Sequence, residues 1–259
     1  MFATGVLALM TSACLQTEST ISLKKDGSGT ITEKVVLGQQ MAAMMQMAEA
    51  QGGAGGPAGG PMAQMMDKAK AEARAKEMGA GVELVSMEKI NNNGKIGVKT
   101  TFKFADINKL KYTTSSAMSG MQGMKVPEND DAAPVFKYAD GKLTITQKRP
   151  DVKKEDVDAA KKAADGQIGE QELAMMQGMM KDMRMTMKIK IESGIKKTNA
   201  SHVDGDTLTM ADIQFAKLLS DPEKLKALQT GDFDKTKKAL EGIDGIKFET
   251  QEVVEVELK

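Results

Sequence analysis

Between Met183 and Ile191 apolar and polar residues alternate without a break: Met183, Met185, Met187, Ile189 and Ile191 on one side, Arg184, Thr186, Lys188 and Lys190 on the other. A period of two is the repeat of a β-strand, and it puts all five apolar side chains on one face of a sheet. Such a strand needs neighbours for its backbone and a cover for its apolar face. The rest of the chain supplies hairpin signals at intervals. Ile21 and Leu23 precede Asp26-Gly27, and Ile31, Val35 and Leu37 follow it. A second hairpin begins near Val82, turns at residues 91–94 and returns with Ile96, Val98, Phe102 and Phe104, and a third spans 135–146 around Asp140-Gly141. Asp-Gly between alternating segments is a strong short-range hairpin signal. Gly194 ends the long strand, residues 195–201 and 207–210 read as strands across Asp204-Gly205, and 246–258 closes the chain as a last strand.

Helical patterns interrupt these strands. Residues 39–50 and 62–78 are rich in Ala, Gln, Glu, Lys and Met, all helix formers. They flank a Gly-rich connection at 52–61 that cannot itself be helical. Residues 38–80 are therefore expected to form a Met-rich helical hairpin inserted between the first two β-hairpins. Residues 154–181 and short stretches at 213–219, 221–228 and 234–240 also read as helices, whereas 115–133 reads as a loop. Strands and helices without regular βαβ alternation predict the α+β class: one domain over 20–259, with a mainly antiparallel sheet built from hairpins and short C-terminal helices.

The 259 residues hold 36 basic and 36 acidic side chains, so no surplus of positive charge points to nucleic acid. One Cys excludes an internal disulfide framework, and one Cys with one His cannot by themselves close a zinc site. Nine aromatics, none of them Trp, stand against 22 Met, so the core has to draw partly on Met.

Residues 2–13 form a short apolar run ending in Thr11, Ser12 and Ala13, immediately before Cys14. This resembles the end of a bacterial lipoprotein signal peptide. The resemblance implies that residues 1–13 are removed, that Cys14 receives a diacylglyceryl group, and that 14–19 is a lipidated tether to the folded part. The run lacks the basic start of a signal peptide, which points to a start codon upstream of Met1. It is also too short to span a bilayer as a helix, and no later segment approaches that length. Leu15, rather than Asp, after the Cys resembles the outer-membrane-sorted pattern, which implies an envelope protein facing the periplasm.

A second resemblance runs through ISLKKDGSGTITEKVVLG at the first hairpin and MMKDMRMTMKIKIESGIKKTNASHVDGDTLTM around the long strand. These segments resemble the LppM-type bacterial lipoproteins, with Gly194, Asn199 and Asp204-Gly205 at the turn positions and Met210 where the family pattern often carries Trp. The resemblance implies an envelope lipoprotein and assigns no chemistry.

Catalysis finds no obvious home. His202 is the only imidazole and sits in a turn, where a solvated residue is expected. Ser193 or Ser201 with Asp204 or Asp206 does not amount to a triad, and no G-x-S-x-G elbow occurs. The Gly-rich stretch lacks the Lys-Ser/Thr of a phosphate loop. The Met clusters are the unusual feature. Thioethers suit Cu(I), and Met118, Met121 and Met124, aided by Met175 to Met180, are the candidate soft-metal ligands. Against that, Met41, Met44 and Met45, like Met62, Met65 and Met66, recur at helical spacing as packing residues do. Lys68, Lys70, Arg74 and Lys76 suggest a membrane-facing helix, but Asp67, Glu72 and Glu77 interleave with them, so a solvated mixed-charge face is expected. The expectation is a non-enzymatic, lipid-anchored binding or assembly module with no cofactor, and with a protein or lipid of the envelope as partner. The rival is a copper-binding protein built on the Met clusters.

Overall fold

The computed structural model describes residues 15–39, 65–112 except 93, 133–147, 183–219 and 243–259, together with positions 42, 43, 47 and 63. Twelve strands among them form two sheets. The larger contains β1 (Leu15–Leu23), β2 (Gly29–Leu37), β3 (Glu83–Asn92), β4 (Lys95–Phe104), β7 (Met183–Ile191), β9 (Val203–Asp204), β10 (Thr207–Gln214) and β11 (Lys247–Phe248). Its order is β11-β10-β7-β1-β2-β4-β3, with β9 paired to β10. The smaller sheet, in the order β5-β6-β12-β8, contains β5 (Val135–Ala139), β6 (Lys142–Thr146), β8 (Ile195–Thr198) and β12 (Val253–Leu258).

The first three hairpins stand where their turns predict, but residues 195–201 and 207–210 do not pair across Asp204-Gly205: β8 joins β12 in the smaller sheet, and that turn links the two-residue β9 to β10. Asp140 and Gly141 both take positive φ, 51° and 74°, which is what a two-residue turn between β5 and β6 requires. The pairings between distant strands have no such local signal. β1 lies antiparallel to β2 but parallel to β7, with Leu15 opposite Met183 and Leu23 opposite Ile191. The long alternating strand at 183–191 is thus a central strand, flanked by β1 and β10.

Register turns the alternation into rows across the inner face of the larger sheet. One row runs Ile189, Ile21, Ile31, Phe102. All four are fully buried, and each contributes about 1.5–3 kcal/mol by leaving water. Phe136 on β5, Leu143 and Ile145 on β6, and Val254, Val256 and Leu258 on β12 close over this end of the sheet in the same core. Two rows along, Leu15, Val35, Leu37, Ile96, Val98 and Met183 form a second, separate apolar cluster, packed by Met65, Met66, Met87 and Phe215.

The expected α+β class with a Met-rich helical hairpin is corrected. Strand makes up 55% and helix 15% of the described residues, and no such hairpin is shown. Two helices have defined bounds among them, α1 (Lys68–Glu77) and α2 (Phe215–Leu219). Asp67 caps Lys68–Glu77 by accepting from the Lys70 amide, so α1 itself begins only after the Met pair at 65–66. The residues α1 buries are Ala71 and Ala75, small enough to let its backbone approach the sheet, while Met65 and Met66 pack against the sheet from outside the helix. Most of 40–62, and the helices expected at 154–181, 221–228 and 234–240, lie outside the described residues. The helix expected from 213 is shortened because β10 continues to Gln214.

Two further expectations change. Residues 15–19, read as a tether, are the first half of β1: Leu15, Thr17 and Ser19 continue the buried face of Ile21 and Leu23. The single closing strand at 246–258 is two strands in different sheets. Between them Glu249, fully buried, accepts from the Ser201 amide and hydroxyl at 2.8 and 2.7 Å and from the Gln251 amide at 2.8 Å.

The outer face of the larger sheet is polar. Arg184 on β7 donates from Nε and Nη2 to the two oxygens of Asp212 on β10, at 2.8 and 2.7 Å. Glu18 on β1 lies between Lys34 on β2 and Lys188 on β7.

Two outcomes are expected. A Cβ on Gly29 would collide with the Ser22 carbonyl oxygen and reach 2.6 Å from the Phe104 ring. Gly29→Ala should therefore cost about 1–3 kcal/mol in urea unfolding, and an unchanged midpoint would contradict this packing. The Arg184 hydrogen bonds hold the Asp212 carboxyl below its usual value of 3.8, against the opposing effect of burial. A carboxyl depressed in the folded state contributes stability above its unfolded pKa and loses it as pH falls through the lowered one. Stability should thus fall on acidification below about pH 4, and Asp212→Asn should make that acid limb shallower.

Candidate functional site

Between the two apolar regions of the inner face lies a row that is polar where it crosses the central strands: Ser19 on β1, Glu33 on β2 and Thr100 on β4, with Met187 on β7 at its end. All four residues are buried, Glu33 with 3% of its surface exposed. A carboxylate in that position has to be paired, because an isolated buried charge costs several kcal/mol.

Two elements bring the partners. Arg74 projects from α1, in phase with Ala71, Ala75 and Met78, and so faces the sheet. Its Nη2 lies 2.6 Å from both Glu33 oxygens, and its guanidinium carbon sits 5.6 Å from the centre of the Phe102 ring. A cation over a ring face at that distance adds electrostatic attraction to the ion pair. Tyr112 comes from the segment after β4. There Asp106 caps a short 3₁₀ turn at Ile107–Lys109, and the Lys111 amide donates to the Met78 carbonyl at the end of α1. Tyr112 is fully buried, donates to Glu33 Oε1 at 2.9 Å and hydrogen-bonds with Ser19. Burial first, and then the charge of Glu33, push its phenol well above the ordinary range, so it stays a neutral donor.

Both carboxylate oxygens are engaged. The constellation fastens α1 and the 105–112 segment onto the middle of the sheet and presents no open proton acceptor. Arg74 Nε, one edge of the same guanidinium, is buried with no hydrogen-bond partner among the described residues. The expected solvated helix face holds for Lys68, Lys70 and Lys76, which are exposed. It fails for Arg74, whose side chain is only 21% exposed.

The residues singled out from the sequence fall elsewhere. His202 is half-buried in a bend, and its carbonyl accepts from the Thr209 amide. Ser201 Oγ bonds to Glu249 and, at 3.1 Å, to Thr250, whereas Ser193 Oγ is buried without a partner among the described residues. Asp206 accepts from the Thr207 hydroxyl and lies 3.9 Å from Lys190 Nζ. None of these groups hydrogen-bonds to His202. Cys14, Met118, Met121, Met124 and residues 175–180 lie outside the described residues. Of the other Met residues, Met78, Met183, Met187 and Met210 are buried packing residues. Among the described residues no group of three His, Cys, Asp or Glu side chains is placed to hold a metal ion. No helix among them is long and apolar enough to cross a membrane.

The sequence reading missed Glu33 and Tyr112. The signal for Glu33 was a charge in phase with Ile31 and Val35, and hence on the face that has to be buried.

No family model matches the chain, and no curated protein matches it. Among solved structures, the NMR structure of the folded domain of LppM from Mycobacterium tuberculosis is similar with a TM-score of 0.38 at 9% identity, covering 78% of this chain and 84% of that one. It is a distant structural neighbour.

Removing one partner should separate the components of the joint. Glu33→Gln is expected to cost about 3 kcal/mol, the low end for a broken buried pair because Arg74 keeps partial contact with water. Tyr112→Phe should cost about 1 kcal/mol, the net value of one hydrogen bond. Chemical denaturation of the two variants measures both, and equal losses would show that Tyr112 carries as much as the ion pair.

Proposed function

We propose that this chain is a lipid-anchored protein of the bacterial envelope, held at the membrane through Cys14, whose two-sheet domain acts as a non-enzymatic binding or assembly module. The observation that carries this reading is the apolar run 2–13, closed by small residues directly before the only Cys of the chain. A diacylglyceryl group with one further acyl chain holds a folded domain at a membrane without a spanning helix. The described domain supports a binding role in one respect. Its buried polar groups at Glu33 and Glu249 have their oxygens engaged in holding strands and α1 together, so among the described residues they are internal joints, and contact with other molecules falls to the surface of the domain. The partner in this reading is a protein or lipid of the envelope.

Cys14→Ser is expected to abolish incorporation of labelled palmitate and to move the protein from the membrane to the soluble fraction in a bacterial host. Unchanged labelling and fractionation would overturn the anchor.

A further inference from the structure

The lipid proposed on Cys14 would have no tether. Leu15 is already the first residue of β1, 2% exposed, paired with Leu37 on one side and Met183 on the other. Consecutive Cα atoms are 3.8 Å apart across a trans peptide, so a lipidated residue 14 keeps its thioether within a few ångströms of the end of a central strand. That strand cannot lift away from the bilayer, because it is hydrogen-bonded along its length on both sides.

The end of the sheet where Leu15 stands has the matching composition. Its inner face is the second apolar cluster, Leu15, Leu37, Ile96 and Met183, to which Met65, Met66 and Phe215 add partly buried apolar surface. Lys68 and Lys70, in the first turn of α1 directly after the Met pair, are exposed. Met47, in the segment that leaves β2 at this end, is 61% exposed. Flexible apolar side chains next to exposed lysines are the side-chain chemistry that suits the headgroup and acyl boundary of a bilayer.

We infer that this pole of the larger sheet is the membrane-contact surface: the domain stands on a phospholipid bilayer at the Leu15 end of β1 and points the turn at residues 24–28 away from it. The inference rests on the anchor proposed above. It adds an orientation, which lipidation through a long tether would leave free.

The chain contains no Trp, so one introduced Trp reports alone. Asn92, exposed at the end of β3 and paired with Lys95, marks the pole, whereas Lys25, exposed in the turn after β1, marks the opposite end. The nine residues of β1 separate the two ends by about 26 Å at the rise of a strand. The full chain, expressed behind a bacterial lipoprotein signal and checked by mass for the lipid, is reconstituted into phosphatidylcholine and phosphatidylglycerol vesicles carrying brominated acyl chains. Asn92→Trp is expected to lose most of its emission, while Lys25→Trp keeps its own. Lys68→Trp, at an exposed site in α1, gives a second reading at the pole should Asn92→Trp fail to fold. Equal quenching at both ends would mean that the sheet lies flat, and would overturn the inference. Absence of quenching at the pole in protein that is lipidated and vesicle-bound would overturn the orientation and leave the anchor standing. Absence of the lipid itself would remove the anchor and the orientation together.

Discussion

A carboxylate sits in the middle of an apolar sheet face, and much of the architecture above that face follows from having to pair it. Glu33 divides the inner surface of the larger sheet into two apolar regions, and only one of them is covered by the smaller sheet. Arg74 and Tyr112 reach Glu33 from two chain segments that have no strand pairing with each other, and so fix α1 and the 105–112 segment in one place. Replacing such a joint by well-packed apolar residues can be neutral for stability. What the pairing adds is position: α1 is a short helix whose buried face is two alanines and Met78, and small apolar contacts alone do not select one seat along a sheet.

A second buried carboxylate solves a different problem. The chain leaves the larger sheet at Phe248 and enters the smaller one at Val253, and between them backbone pairing is kept only at the two ends, where the Glu249 amide donates to the Met210 carbonyl and the Glu252 carbonyl accepts from the Gln147 amide. Glu249 supplies acceptors for two amides and a hydroxyl there, and the Gln147 side chain donates to the Glu249 and Gln251 carbonyls. Buried backbone polar groups have to be paired somewhere. Here a side chain does at a sheet crossing what neighbouring strands do elsewhere.

The sequence was legible where information is local. Asp140-Gly141 and the turn near 91–94 announce their hairpins, and the period of two at 183–191 marks a strand. Pairing at long range leaves no such trace: nothing in ISLKK says that it runs parallel to a strand 168 residues away. Residues 15–19 read as a tether because Thr17, opposite Val35, and Ser19, opposite Glu33, break the apolar alternation that would have identified them as strand. In the second Met-rich segment propensity alone does not set the boundary, since it is a weak prior and a cap at Asp67 decides where α1 begins. Of the polar site, Glu33 and Arg74 each carried a readable sign in their phase with buried neighbours. Tyr112 carried none, because the segment that delivers it has no period.

The parallel pairing of β1 with β7 also sets an order of events. As a nascent chain emerges, β1 and β2 can close within microseconds around their tight turn. The other edge of β1, however, has no partner until residue 183 and beyond have been made. For that interval a strand destined for the middle of a sheet is an edge, with a full row of unpaired amides and carbonyls able to pair with any extended chain. A domain of this topology has high contact order and folds slowly for its size. Its exposure to aggregation is therefore greatest before the last third of the chain is made, and whatever escorts it through that window has to shield the free edge of β1.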